Sequence, residues 1–526
     1  MSGFALACCL LGCAHASEPE AAAAAPDAAH ALVYTLAPVM RGGELEALEV
    51  TLELHADAEG RARLHLPERW AAAEQLWRHL DDVHIDGARA VTRDGDAVRV
   101  VEAEPGAALQ LRYRVRSAWD HDPAADEGQP FAPIVRPTWF YAFGHALFAV
   151  PEHAHDAAVH FRWVGAPPEL RLASDLEAMQ TRAGSVPDLL DSVVTGGTAL
   201  RTSVREIDGA PLRIAVLGHY AFDDEAFADL AAAVIAGERA FWGDPGAPML
   251  ITLTPLRPVP QQRSLGGTGL GDAFTLVLDT ETPLAPLRHL LAHEYFHSWN
   301  ADQLGGRGDA ATLAEGGQPG QWFSEGFTEF YTWRLLLRAG LYSLEDFVQA
   351  WNEALVEYAA SPVRNVPDAT IVRDYWRDPD VGRLPYRRGA LLAAVWDHAL
   401  RQASAGARDL DDVMLELRAT LRDADAPEAA RRFAEAYRSV GGPDPSEQLV
   451  AWVERGETIT LPPDSFGACI VVRSDTVAPR GGPAIAAQQL HLREGLDADA
   501  RARCIAALAG TGAAPLTSRR ALPPPR

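Results

Sequence analysis

The stretch HLLAHEYFHSWN, residues 289 to 300, places His293 and His297 four apart with Glu294 beside the first. On a helix, that spacing puts both imidazoles on one face, with Glu294 about 100° round from His293. Ala292, Phe296 and Trp299 fall on another flank, so a helix over 284–303 presents ligands to a cleft and aromatic anchors to a core. Two neutral imidazoles suit zinc, and a catalytic zinc takes three protein ligands and leaves a fourth position for water. Glu294 then serves as general base toward that water while the metal polarises a scissile carbonyl. The same five residues also describe one turn of an ordinary helix, so a third ligand decides between the readings.

Two carboxylates downstream qualify. Glu315 sits in the glycine-rich LAEGGQPGQ, whereas Glu325 sits in QWFSEGFTEFYTWRLLLRAG, whose apolar spacing and closing Gly340 describe a helix. A helix holds a ligand more rigidly than a glycine loop, which favours Glu325. Glu329 lies one turn further on the same face, placed to accept the free N–H of a ligating histidine or to be a solvated carboxylate.

HEYFHSWN, followed by WFSEGFTEFY and LPYRRGALLAAVWDHAL, resembles the glycyl aminopeptidase family of gluzincin metallopeptidases. The resemblance extends to TWFYAFGHALFAVPE and covers residues 31 to 465. It implies an α+β multidomain chain, with an N-terminal β-sandwich-like domain followed by a thermolysin-like, mainly helical catalytic domain. It further implies one Zn2+ on His293, His297 and Glu325, Glu294 as base, a peptide as substrate, and Tyr386 as hydroxyl donor to the oxyanion. Without the resemblance Tyr386 reads as a core tyrosine, with Pro385 suited to a helix start and Gly389 to close packing one turn on.

Members of that family carry a Gly-Gly-x-Glu-His stretch whose acidic side chain binds a free amino terminus. Here SLGGTGLGDAF keeps Gly266 and Gly267 but has Gly269 in place of the glutamate, and Asp272 is the nearby substitute. The stretch reads either as a β-turn or as a sheet edge whose backbone pairs with an extended substrate. The expected function is a zinc metallopeptidase, most simply an aminopeptidase. The alternatives are an endopeptidase of the same fold, a zinc-containing peptide-binding protein without turnover, or a hydrolase acting on a non-peptide bond.

Outside the motif, EALEVTLELHA, DAVRVVEA and ALQLRYRVRSA alternate apolar and polar residues, which predicts antiparallel strands and a β-rich domain over 31–215. DDEAFADLAAAVIAGERAFWG carries acidic residues at its start and Gly243 at its end, opening a helical catalytic domain over 216–455 with strands at PMLITLTP and FTLVLD. The residues from 456 to 526 form a C-terminal extension with a disordered tail, too short for the PDZ domain that many relatives append.

The chain has 526 residues and no lysine, and 72 acidic against 47 basic residues give a net charge of -25. Such a surface repels phosphate backbones and anionic lipid, which excludes nucleic acid as a partner. Residues 1 to 16 contain an apolar run too short to span a bilayer and read as an export signal, with a linker over 17–30. Leu10-Leu11-Gly12-Cys13 resembles a bacterial lipoprotein box, so Cys13 is a candidate lipid anchor and the bacterial envelope the expected location. In that oxidising compartment Cys469 and Cys504 can pair.

Overall fold

A computed structural model describes residues 31–510 except 72, 128–129, 262–263, 301–303, 305–318, 421–428 and 480–481. The leader with Cys13, the linker, Glu315 and the tail beyond 510 lie outside the described residues.

The alternating segments form the β-rich half. Its largest sheet has five strands in the order Val159–Trp163, Leu32–Arg41, Glu44–His55, Ala108–Val115 and Leu80–Asp86. Tyr34, Leu36, Val50, Leu52 and Leu111, at alternating positions along its strands, are fully buried in a common core. Each buried aliphatic contributes about 1.5–3 kcal/mol relative to exposure. Two smaller sheets of four strands and a two-stranded hairpin, Arg69–Trp70 with Ala73–Glu74, complete this half. The Tyr34 hydroxyl donates to the Ala149 carbonyl (2.8 Å) and that of Tyr113 to the Leu147 carbonyl (2.6 Å), which pins the segment after Phe143.

The expected break at 215 falls inside a sheet. Strands Arg201–Ile207 and Ala210–Val216 continue through Met249–Leu256 and Ala273–Asp279 to the edge strand Leu265–Leu270. The hairpin of Arg201–Val216 has the same alternating texture as the preceding domain. Only its parallel pairing with Met249–Leu256, a long-range contact, assigns it to the catalytic half. That half is accordingly a five-stranded mixed sheet covered by helices.

The first helix, Asp224–Trp242, starts where Asp223 accepts from the backbone N–H groups of Glu225 and Ala226 and stops at Gly243 with φ +62°. The motif helix is shorter than expected: it runs Leu287–Phe296, and His297 already caps it. The chain tightens there into turns, with the Trp299 N–H bonded to the Phe296 carbonyl at 3.1 Å, and the Asn300 side chain ties these turns to the next helix. That next helix, Gln321–Arg338, carries Glu325.

The long helix Pro379–Ala403 begins at Pro379 and not at Pro385. Asp378 caps it by accepting from the Asp380 N–H at 2.9 Å, so the earlier proline takes the place at the start and Pro385 lies inside. A proline within the helix forgoes one backbone bond. The C-terminal extension packs on the catalytic core: the hairpin Ile470–Val477 and Ile485–Leu492 is held by Asn352, which bonds both the N–H (2.7 Å) and the carbonyl (3.1 Å) of Leu490. Cys469 and Cys504 are disulfide-bonded, joining that hairpin to the helix Ala498–Leu508. Among the described residues, no helix is long and apolar enough to cross a membrane.

Candidate metal centre

The motif helix and the helix of Glu325 pack side by side and bring three ligand atoms together. His293 Nε2 lies 3.2 Å from His297 Nε2 and 3.2 Å from Glu325 Oε2, and His297 Nε2 lies 3.4 Å from the same oxygen. Two nitrogens and a carboxylate oxygen turned on one point are the donor set of a zinc site with an open position. His293, His297 and Glu325 therefore fit the metal that the sequence implies.

The other ring nitrogens are engaged, which leaves Nε2 as the free lone pair on each ring. His293 Nδ1 lies 3.2 Å from Glu329 Oε2, and His297 Nδ1 lies 3.1 Å from the Asn300 carbonyl, which its N–H is placed to reach. Asn300 in turn donates to the Ser324 carbonyl and to Thr328 Oγ1, each at 3.0 Å, so the turn after His297 is fastened to the helix of Glu325. Glu329, 2 % exposed, also meets His289 Nε2 at 2.8 Å and Arg387. The positioning partners His289, Asn300 and Arg387 were not read from the sequence. His289, one turn ahead of His293, was visible as a helical neighbour; Arg387 had no local signal.

In the metal-free protein, burial pulls the His293 imidazolium down, but hydrogen bonds to Glu325 and Glu329 outweigh it and lift the pKa to about 10. Burial opposes ionisation of Glu325 too, yet the two histidines hold its carboxyl well below the usual range. Glu294 behaves oppositely. Burial raises its pKa and the histidines only partly offset this, which makes it a better proton acceptor than a free carboxylate.

Residues 286–377 match the family described as M61 glycyl aminopeptidase. The chain resembles a gluzincin aminopeptidase family. Among solved structures, an aminopeptidase N family protein from Idiomarina loihiensis shares the fold with a TM-score of 0.68 at 16% identity, over 86% of this chain and 81% of that one. An M1 zinc metallopeptidase from Deinococcus radiodurans aligns with a TM-score of 0.49 at 18% identity, over 82% of this chain and 95% of that one. Comparison with curated proteins gives no match.

Around the three ligand atoms lies a cavity of about 530 Å³ whose walls include the edge strand, the motif helix and both Tyr375 and Tyr386. Tyr386 stacks on the His293 ring at 5.5 Å, and its hydroxyl lies 3.4 Å from that of Tyr375. Tyr375 is a second hydroxyl at the site that the sequence reading missed. Arg388, two residues after Tyr386, is fully buried and donates to the Arg364 and Val366 carbonyls at 2.8 and 2.7 Å, which ties its helix to the segment before it.

The glycine stretch is the sheet edge, with Gly267 opposite Leu276 and Gly269 opposite Phe274. A Cβ on Gly267 would lie 3.3 Å from Glu294 Cγ and 2.7 Å from the Phe274 ring, which accounts for the glycine. Gly267 and Gly269 line the cavity; Gly266, one residue earlier in the same strand, does not. Asp272 does not line it either: with Gly271 it forms the exposed turn between the strands Leu265–Leu270 and Ala273–Asp279. The expected substitute for an amine anchor is therefore not in the cavity.

Proposed function

We propose that this chain is a zinc-dependent metallopeptidase, with aminopeptidase action as the leading reading. The convergence of His293, His297 and Glu325 beside Glu294, on a cavity bordered by the edge strand Leu265–Leu270, carries the proposal. Zinc at these residues would polarise the scissile carbonyl and acidify water. Glu294 takes the proton of the attacking water and passes it to the leaving amine. The Tyr386 hydroxyl donates to the carbonyl oxygen as charge develops there, and the backbone of Leu265–Leu270 aligns an extended peptide.

An endopeptidase is the second reading. A further cavity, of about 600 Å³, shares His293, Glu294 and Tyr386 with the first and extends on to His289 and Arg387. Space continues on both sides of the motif, and Gly269 supplies no charge for a free amine. Cleavage mapping of a peptide library, half of it amino-acetylated, tests both readings with zinc-loaded Glu294→Gln as the blank. Stepwise trimming of the free half supports an aminopeptidase, internal cuts in both halves an endopeptidase, and no cuts at all would sink the proposal. The Cys469–Cys504 pairing supports an exported location in the bacterial envelope, where disulfides persist; lipidation of Cys13 would show as a mass increase on the mature amino terminus.

A further inference from the structure

We infer that the cavity on the edge-strand side of Glu294 selects a large aromatic side chain on the substrate residue adjoining the scissile bond, with Trp70 and Trp376 as the residues that make the selection. The inference rests on the peptidase reading and goes beyond it by naming the side chain.

Trp70 comes from the β-rich half, on the short hairpin Arg69–Trp70 and Ala73–Glu74, yet it lines the same cavity as His293 and Glu294. One face of its indole is covered: it stacks on the His145 ring at 4.2 Å and 5°, and His145 Nε2 lies 3.0 Å from Asp191 Oδ1. Phe143, at 5.9 Å, backs it from the apolar core where the two halves meet. The indole is thus held in place.

Trp376 is the counterpart on the catalytic half. It is 73 % exposed, the most exposed of the large hydrophobics among the described residues, and it borders this cavity. Its ring contact is an edge-on one with Tyr375, at 4.9 Å and 88°. An exposed tryptophan beside a cavity whose lining includes Leu270, Phe274 and Met249 is apolar area open for a ligand to cover. A glycine or alanine side chain would leave both indoles wet, whereas an aromatic one covers them with offset or edge-on ring contacts.

The test is calorimetric titration of zinc-loaded Glu294→Gln, which does not depend on turnover, with the tripeptides Trp-Ala-Ala, Ala-Trp-Ala and Ala-Ala-Ala. One tryptophan peptide is expected to bind at least about tenfold more tightly than Ala-Ala-Ala. Adding Trp70→Leu should cut that ratio about tenfold, and Trp376→Ala about threefold to tenfold. Equal binding of the three peptides, or a ratio that neither substitution moves, overturns the inference. Should Trp70→Leu fail to fold, Trp376→Ala at the exposed rim decides. Wild-type turnover of the same peptides separates the two proposals: aromatic selectivity in binding without turnover sinks the peptidase reading alone, and turnover without selectivity sinks this one alone.

Discussion

Gly326 and Gly389 touch where the helix bearing Glu325 crosses the helix bearing Tyr386. A Cβ on Gly326 would fall 2.2 Å from Gly389 Cα, and one on Gly389 would fall 2.0 Å from the Trp322 carbonyl oxygen. The obstructing atoms are backbone, so neither side can yield without moving a helix. Gly389→Ala should therefore cost about 1–3 kcal/mol in chemical denaturation and also weaken zinc binding, since it displaces Tyr386 from Glu325. A variant with wild-type stability and metal content would show that the crossing does not set the site.

Glu325 is the one carboxylate within 3.4 Å of both His293 and His297 nitrogens among the described residues. Glu325→Ala should lower zinc affinity by orders of magnitude, measured by competition with a chromogenic chelator. Retention of full affinity would move the ligand to Glu315.

Glu294 lines the cavity without joining the triangle of ligand atoms. Glu294→Gln should keep stoichiometric zinc and lose most of kcat. Loss of the metal together with activity would make Glu294 a structural residue and remove it from proton transfer.

The ligand spacing and the helix of Glu325 were legible because they are local: a period of 3.6 and a closing glycine suffice. The meeting of Glu329 with Arg387 and His289 was not, since it depends on how two distant helices cross. Pro385 misled for a related reason. A proline suits a helix start, but Asp378 and Pro379 supply the better cap, and the packing around Gly389 tolerates the second proline inside. The boundary near 215 was misplaced because strand alternation says nothing about which sheet a strand joins. Trp70 belongs to the cavity only through the docking of the two halves, which no window of sequence contains.

The Tyr375 and Tyr386 hydroxyls lie 3.4 Å apart beside the ligands, and burial together with the Glu325 charge keeps both protonated well above neutral pH. Tyr386→Phe should reduce kcat by about 10²–10³, the scale of one oxyanion donor, with little change in KM. Tyr375→Phe should cost less, about tenfold, if it orients Tyr386 rather than touching the substrate. A larger loss in Tyr375→Phe than in Tyr386→Phe would exchange the two roles.

Asp175, at the junction of the two halves, offers a test of pH-dependent stability. Burial is the main cause of its raised pKa, with Glu177 and Asp272 adding repulsion, and the hydrogen bond from the Val193 N–H only partly offsets them; the result is about 8, against 3.8 for the ordinary side chain. The folded state thus binds a proton that the unfolded chain has released, so the protonated carboxyl's contribution is full below about pH 4 and declines as pH rises to about 8. The residue is partly exposed, which limits the loss to about 1–2 kcal/mol. Asp175→Asn keeps an acceptor for Val193 and cannot ionise. Its Tm should exceed that of the wild type by about 2–4 °C at pH 8.5 and by less at pH 4.5. A Tm difference that stays constant across that range would mean that Asp175 ionises alike in the folded and unfolded chain, and that the junction does not bury its charge.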